Sequence, residues 1–148
     1  MKRTSFAQMD CSVAKTLDLV GEWWTLLVIR DAFLGVTRFE RFQKRLGIAR
    51  NILSERLDTL VEGEILERRR YQTRPERFEY RLTQKGKDLF PVVTALRQWG
   101  DKWTAVGDPP LSLVHLDCGH EAWVVPKCTH CGGEVTTRNV RAEGRQAG

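Results

Sequence analysis

The tightest constraint in this 148-residue chain is the punctuation between Thr37 and Thr83. There Gly47 and Gly63 separate two helical patterns and a strand pattern that follow one another without a spare residue. Residues 37–46 carry Phe39, Phe42 and Leu46 on one helical face, and Thr37 with Glu40 predicts a capping box at the start. Gly47 permits the backbone conformation that ends such a helix, and Ile48 offers an apolar plug before the next one. In residues 50–62, Leu53, Leu57 and Leu60 recur at helical spacing, so one stripe packs inward while Asn51, Ile52, Ser54, Glu55 and Asp58 look outward. Two short helices with three residues between them are the helix-turn-helix plan, whose second helix enters a DNA major groove.

A β-hairpin is predicted next. Residues 65–72 and 77–82 flank Thr73-Arg74-Pro75-Glu76, and the second arm alternates Phe78, Tyr80 and Leu82 with Arg77, Glu79 and Arg81, the period of a half-buried strand. Appended to a helix-turn-helix, such a hairpin is a wing that lies along the phosphate backbone or probes a minor groove. The charge agrees. Residues 38–81 hold twelve basic against eight acidic side chains, residues 1–37 hold four of each, and residues 82–148 hold eight against seven, within a net charge of +5. The excess sits on the proposed DNA reader, where released counterions supply the sequence-independent part of affinity.

Length suits one compact domain of about 100 residues with an appendage. At 41% hydrophobic the chain can bury a core, no stretch nears the roughly 20 apolar residues of a membrane span, and Met1-Lys2-Arg3-Thr4-Ser5-Phe6 is followed by no apolar signal region. A cytoplasmic protein with no membrane partner is expected. Four cysteines in a reducing compartment argue for metal or redox use over a disulfide framework.

Outside the reader, Val13, Ala14, Leu17 and Val20 form a helical stripe that Ser12 is placed to cap. From Glu22 to Leu34 the apolar residues nearly encircle the helix, which predicts a buried central element with Trp23 and Trp24 as core. After Thr83, Leu89, Val93, Leu96, Trp99 and Trp103 predict one long helix kinked at Pro91. Its stripe needs a partner surface, assigned to the first helix and to the same elements of a second subunit, since helix-turn-helix proteins commonly bind two half-sites as two-fold dimers.

These residues resemble the HxlR-type winged-helix regulators, bacterial relatives of the MarR group. The resemblance is carried by residues 11–31 (Cys11-Ser12-Val13 through Trp23-Trp24-Thr25 to Arg30-Asp31), by Arg38-Phe39, by Leu53-Ser54-Glu55-Arg56-Leu57 and by Tyr80-Arg81-Leu82-Thr83-Gln84-Lys85-Gly86. It implies a homodimer that binds double-stranded operator DNA, often repressing, under a signal that differs between members; a small-molecule effector is left open. Ala49 stands where the family usually has a capping hydroxyl, and Ser12 where it often has proline. For base reading the candidates are Arg50, Asn51 and Ser54, with Ile52 available to a thymine methyl and Glu55 able to accept from cytosine. For phosphates they are Arg38, Arg56, Arg68, Arg70, Arg74 and Arg77.

Past Gly107-Asp108-Pro109-Pro110 the composition changes. His115-Leu116-Asp117-Cys118-Gly119 and Cys128-Thr129-His130-Cys131-Gly132 each place two borderline or soft ligands two residues apart before a glycine, the geometry of a zinc knuckle. The expected ligands are His115, Cys118, Cys128 and Cys131 around a structural Zn2+, with His120 as the alternative histidine. Reduced thiols on a plain hairpin, or a Cys128–Cys131 disulfide, are the competing readings. Cys11 is left over at a helix start, the setting of an oxidant- or electrophile-sensing thiol, although a small buried thiol is the commoner role.

The expected fold is therefore α+β and mainly α: a winged helix-turn-helix domain with a two-stranded wing over residues 1–107, and a small β zinc-ribbon-like tail over 108–148. The expected function is a sequence-specific, homodimeric repressor. A zinc-ribbon adaptor that uses the winged helix as a protein-docking module is the alternative. An enzyme is disfavoured because no Ser-His-Asp set, phosphate loop or paired carboxylates occur in the sequence.

Overall fold

The computed structural model describes residues 5–104 and 106–144; residues 1–4, read above for a signal segment, lie outside this range. The chain divides between Val93 and Thr94 into two compact units. The first contains α1 (Ser12–Val20), α2 (Trp23–Phe33), α3 (Phe39–Leu46), α4 (Arg50–Glu62), the strands β1 (Leu66–Thr73) and β2 (Glu76–Leu82), and the short α5 (Gln84–Lys87). Helix α6 (Phe90–Trp103) begins in the first unit and continues into the second. The fold is mainly helical α+β with a two-stranded antiparallel wing. Among the described residues no helix is long and apolar enough to cross a membrane.

The core of the first unit gathers Val28 and Ile29 of α2, Phe42 of α3, Leu53, Leu57 and Leu60 of α4, and Leu66 and Tyr80 of the hairpin, with Ile48 plugging the turn between α3 and α4. Gly47 is the αL residue that makes this turn, at φ 63°, its N–H donating to the Gln43 carbonyl. Burying a leucine from water is worth about 2 kcal/mol, so three fully buried leucines on one stripe fix the roll of α4 about its axis.

Several local expectations are corrected. Thr37 and Glu40 form no capping box: α3 starts at Phe39 without a side-chain cap. The Thr37 carbonyl instead accepts from Tyr80 N–H at 2.7 Å, and Arg38 bridges to Glu79, so the segment before α3 is drawn into pairing with β2. Ser12 is the first residue of α1 rather than its cap, which is Cys11. Trp24 is half-buried against the core, but Trp23, expected there too, is 84% exposed because it begins α2 on the outer side. Pro91 kinks nothing. The run after Thr83 is two helices, and Pro91 lies in the first turn of α6, where a missing N–H costs no hydrogen bond.

One buried ion pair had no periodic signal. Asp31 is fully buried in α2, and its carboxylate accepts from Arg30 Nε and Nη2 at 3.0 and 2.9 Å and from Arg45 Nε of α3 at 3.0 Å. That hydrogen bond, joined by the Asp31 charge, raises the pKa of Arg45 above its ordinary value. Both arginines remain partly solvated, so their own desolvation cost is small while the carboxylate is fully satisfied.

In the second unit, two short hairpins follow α6, each marked by one antiparallel bridge: Val114 with Glu121, and Lys127 with Glu134. The segment between them is tied to α6 by Gln98, whose side chain accepts from Val124 N–H at 2.8 Å and donates to the Val124 carbonyl at 3.0 Å. From residue 106 to 144 no described residue is buried, so this segment contributes no apolar core.

Asp31→Ala should lower stability to urea by about 3 kcal/mol, the lower end for breaking a buried pair because both arginines can rehydrate. Arg81→Ala, which removes a solvated guanidinium from its pair with Glu79, should change it far less; equal effects would refute the structural weight given to Asp31. Burial, helped by the charges of Asp58 and Glu40 and opposed by Arg68, raises the Tyr80 hydroxyl above the ordinary tyrosine value of 10.0. The folded chain therefore keeps this proton to higher pH than the unfolded chain. The stability this confers is intact below pH 10.0 and lost as pH rises through the raised value. Urea midpoints measured across alkaline pH should fall less steeply for Tyr80→Phe, and identical slopes would reject the assignment.

Candidate nucleic-acid interface

With Leu53, Leu57 and Leu60 facing the core, the opposite side of α4 is open. Arg50, Asn51, Ser54, Glu55 and Asp58 are all exposed on it. Ala49 is the N-cap and supplies no side-chain cap, leaving the first turn's N–H groups without a side-chain partner from that position. Ile52 was expected to face outward with this row; it is half-buried and packs against the core. Arg56 departs further from its expected place at a phosphate. Its side chain is 12% exposed, with Nη2 2.8 Å from Glu55 and Nε 3.6 Å from Glu22. Glu22 is in turn the N-cap of α2, accepting from Trp24 and Thr25 N–H. Arg56 thus ties α4 to the start of α2, and Glu55 is partly occupied in holding it.

The hairpin register sorts the wing's charges by face. Leu66 pairs with Leu82, Arg68 with Tyr80 and Arg70 with Phe78, so Arg68 and Arg70 extend the face that carries the buried Leu66 and Tyr80. On the other face Glu67 pairs with Arg81 and Arg69 with Glu79. There the charges cancel locally, Arg69 bonding to Glu67 at 2.5 Å and Arg81 to Glu79 at 2.8 Å. Arg70 reaches Glu76 at 3.3 Å. At the tip, Arg74 and Arg77 are exposed and neither is ion-paired among the described residues.

In the first unit, three arginines lie over aromatic rings: Arg38 over Tyr71 at 4.5 Å, Arg50 over Phe39 at 4.8 Å and Arg68 over Phe78 at 3.7 Å. Stacking holds a guanidinium in place while leaving its N–H groups free for an anion. The aromatic shelves have no local sequence signal, and Arg41 and Lys44 of α3 are two further exposed cations beyond those expected from the sequence. Their alternation with the apolar Phe42 was the available signal.

Cys11 is exposed at the N-cap of α1. The expected metal ligands are found as two pairs. His115 Nδ1 lies 3.3 Å from Cys118 Sγ, and the Cys128 thiol is held below its ordinary value by the Cys131 and His130 backbone N–H groups and by the Cys131 side chain. Among the described residues, no three His, Cys, Asp or Glu side chains come together as a ready metal site, so the four ligands are not gathered.

Comparison with known proteins agrees with this architecture. The sequence profile of the HxlR-like helix-turn-helix family matches residues 19–108. An uncharacterized HTH-type transcriptional regulator of Mycobacterium tuberculosis is 50% identical over 133 residues, covering 89% of this chain and 84% of its own. The crystal structure of PA1607, a candidate transcription factor, superposes with a TM-score of 0.85 at 39% identity, covering 95% of this chain and 99% of that one. The redox regulator HypR in its oxidized form superposes with a TM-score of 0.60 at 31% identity, over 65% of this chain and all of its own. The chain belongs to the HxlR-like helix-turn-helix family of DNA-binding transcriptional regulators.

Proposed function

We propose that the protein is a homodimeric repressor in which α4 reads bases in the major groove and the wing grips the flanking backbone. The observation that carries this is the exposed row Arg50, Asn51, Ser54 on a helix whose opposite stripe is fully buried. Asn51 suits an adenine and Arg50 a guanine or a phosphate, depending on whether it leaves its Phe39 shelf. Arg38, Arg68, Arg70, Arg74 and Arg77 supply phosphate contacts. Arg56 is assigned to structure, and Ile52 at most to one methyl contact at the edge of the row. A two-fold partner is supported by exposed apolar side chains on both units: Val13 and Trp23 in the first, Leu96, Trp99 and Trp103 in the second. The proposed signal is an oxidant or electrophile acting at Cys11, supported by its exposure and by the likeness to a redox regulator.

Binding sites can be recovered by selecting genomic fragments on the purified protein. On such a site, Asn51→Ala should relax preference at one base pair by about 1–3 kcal/mol, whereas Arg74→Ala should weaken all sequences alike and lower the salt slope by about 1. If neither substitution alters binding, or if ultracentrifugation finds a monomer on a single half-site, the docking is wrong. Peroxide should release wild-type protein from DNA but spare Cys11→Ser; equal release from both would dispose of the sensor.

A further inference from the structure

The two tail hairpins are one element built twice. His115 N–H donates to the His120 carbonyl at 2.9 Å, and thirteen positions later Cys128 N–H donates to the Gly133 carbonyl at 2.8 Å. Gly119 N–H donates to His115 and Gly132 N–H to Cys128, both at 2.8 Å. Ala122 donates to Leu113 at 2.7 Å, as Val135 does to Pro126 at 3.1 Å. The bridges Val114–Glu121 and Lys127–Glu134 keep the same offset, as do Gly119 and Gly132, with φ of 72° and 73°. A repeat this regular places His115 and Cys118 on one turn where Cys128 and Cys131 stand on the other.

The hairpins are held by hydrogen bonds and not by a core. No described residue from 106 to 144 is buried, so apolar burial does not hold the turns in shape. Each turn nonetheless closes around its own ligand pair, with His115 Nδ1 3.3 Å from Cys118 Sγ. A Cβ built on Gly133 would stand 3.4 Å from Cys131 Sγ, so the thiol lies on the Gly133 side of its turn. The family profile ends at residue 108, before either turn.

We propose that the two turns are half-sites of one structural zinc centre, His115 and Cys118 from the first and Cys128 and Cys131 from the second, which the metal draws together. Three thiolates and an imidazole select zinc over magnesium, calcium or manganese, and a full set of four leaves no open position for catalysis. On binding, the three cysteines release their protons to solvent and the histidine coordinates in its neutral form. Because Gln98 grips Val124 between the hairpins, closure of the centre would brace the tail on the C-terminal part of α6.

The test uses the full chain, stripped with chelator and kept under reductant, titrated with Co2+ and then Zn2+. The expected result is the thiolate-to-cobalt charge-transfer and ligand-field bands of a tetrahedral site, displaced by one equivalent of zinc. Cys118→Ser, Cys131→Ser and His115→Ala should each abolish or strongly weaken the bands, while His120→Ala and His130→Ala keep them. Absence of the bands in wild type overturns the proposal. So does full binding by Cys118→Ser, which would leave the second turn acting alone, or loss of binding in His120→Ala with retention in His115→Ala, which would reassign the histidine. Helical circular dichroism of each variant separates loss of the site from loss of the fold.

Discussion

The outward placement of Arg50, Asn51 and Ser54 depends on the burial of Leu53, Leu57 and Leu60. Because these three side chains are fully buried, α4 has one allowed roll, and a rotation that brought Asn51 inward would put leucine in water at about 2 kcal/mol each. Two polar ties join the neighbouring helices to either end of α2. Arg56 holds α4 to the Glu22 cap, and Asp31 holds α3 through Arg45. The apolar contact sets the geometry, and the charged contacts remove the remaining freedom.

What the sequence made legible was whatever repeats along the chain. The leucine stripe of α4, the Gly47 turn and the alternation of β2 are all local patterns, and each corresponds to an element of the fold. The features it hid join positions distant in sequence. Asp31 looks like any surface acid until Arg45 of another helix closes over it, and Arg56 looks like a phosphate ligand until Glu22 is seen beside it. Thr37 was misread because its capping pattern is intact in sequence, while its carbonyl is engaged by Tyr80, forty-three positions on. Pro91 and Trp23 were misjudged for a simpler reason, since both depend on where a helix starts, and boundaries are poorly fixed by periodicity.

The wing shows how a basic surface is made selective. Of its arginines, Arg69 and Arg81 on one face and Arg70 on the other are ion-paired within the hairpin, while Arg74 and Arg77 at the tip are not. Aromatic shelves under Arg38, Arg50 and Arg68 limit the rotamers these long side chains must give up on meeting an anion. Affinity then draws less on ordering at the moment of contact.

The strand-like pairing of Thr37 and Arg38 with β2 has a mechanical effect. It stitches the linker ahead of α3 to the hairpin, so helix-turn-helix and wing share backbone hydrogen bonds as well as side-chain packing. The base of the hairpin, at Glu79 and Tyr80, is thereby held against the start of α3 like one leg of a calliper at its hinge. In the proposed two-fold reading of DNA, adjustment to half-sites of different spacing would fall to the contacts between subunits.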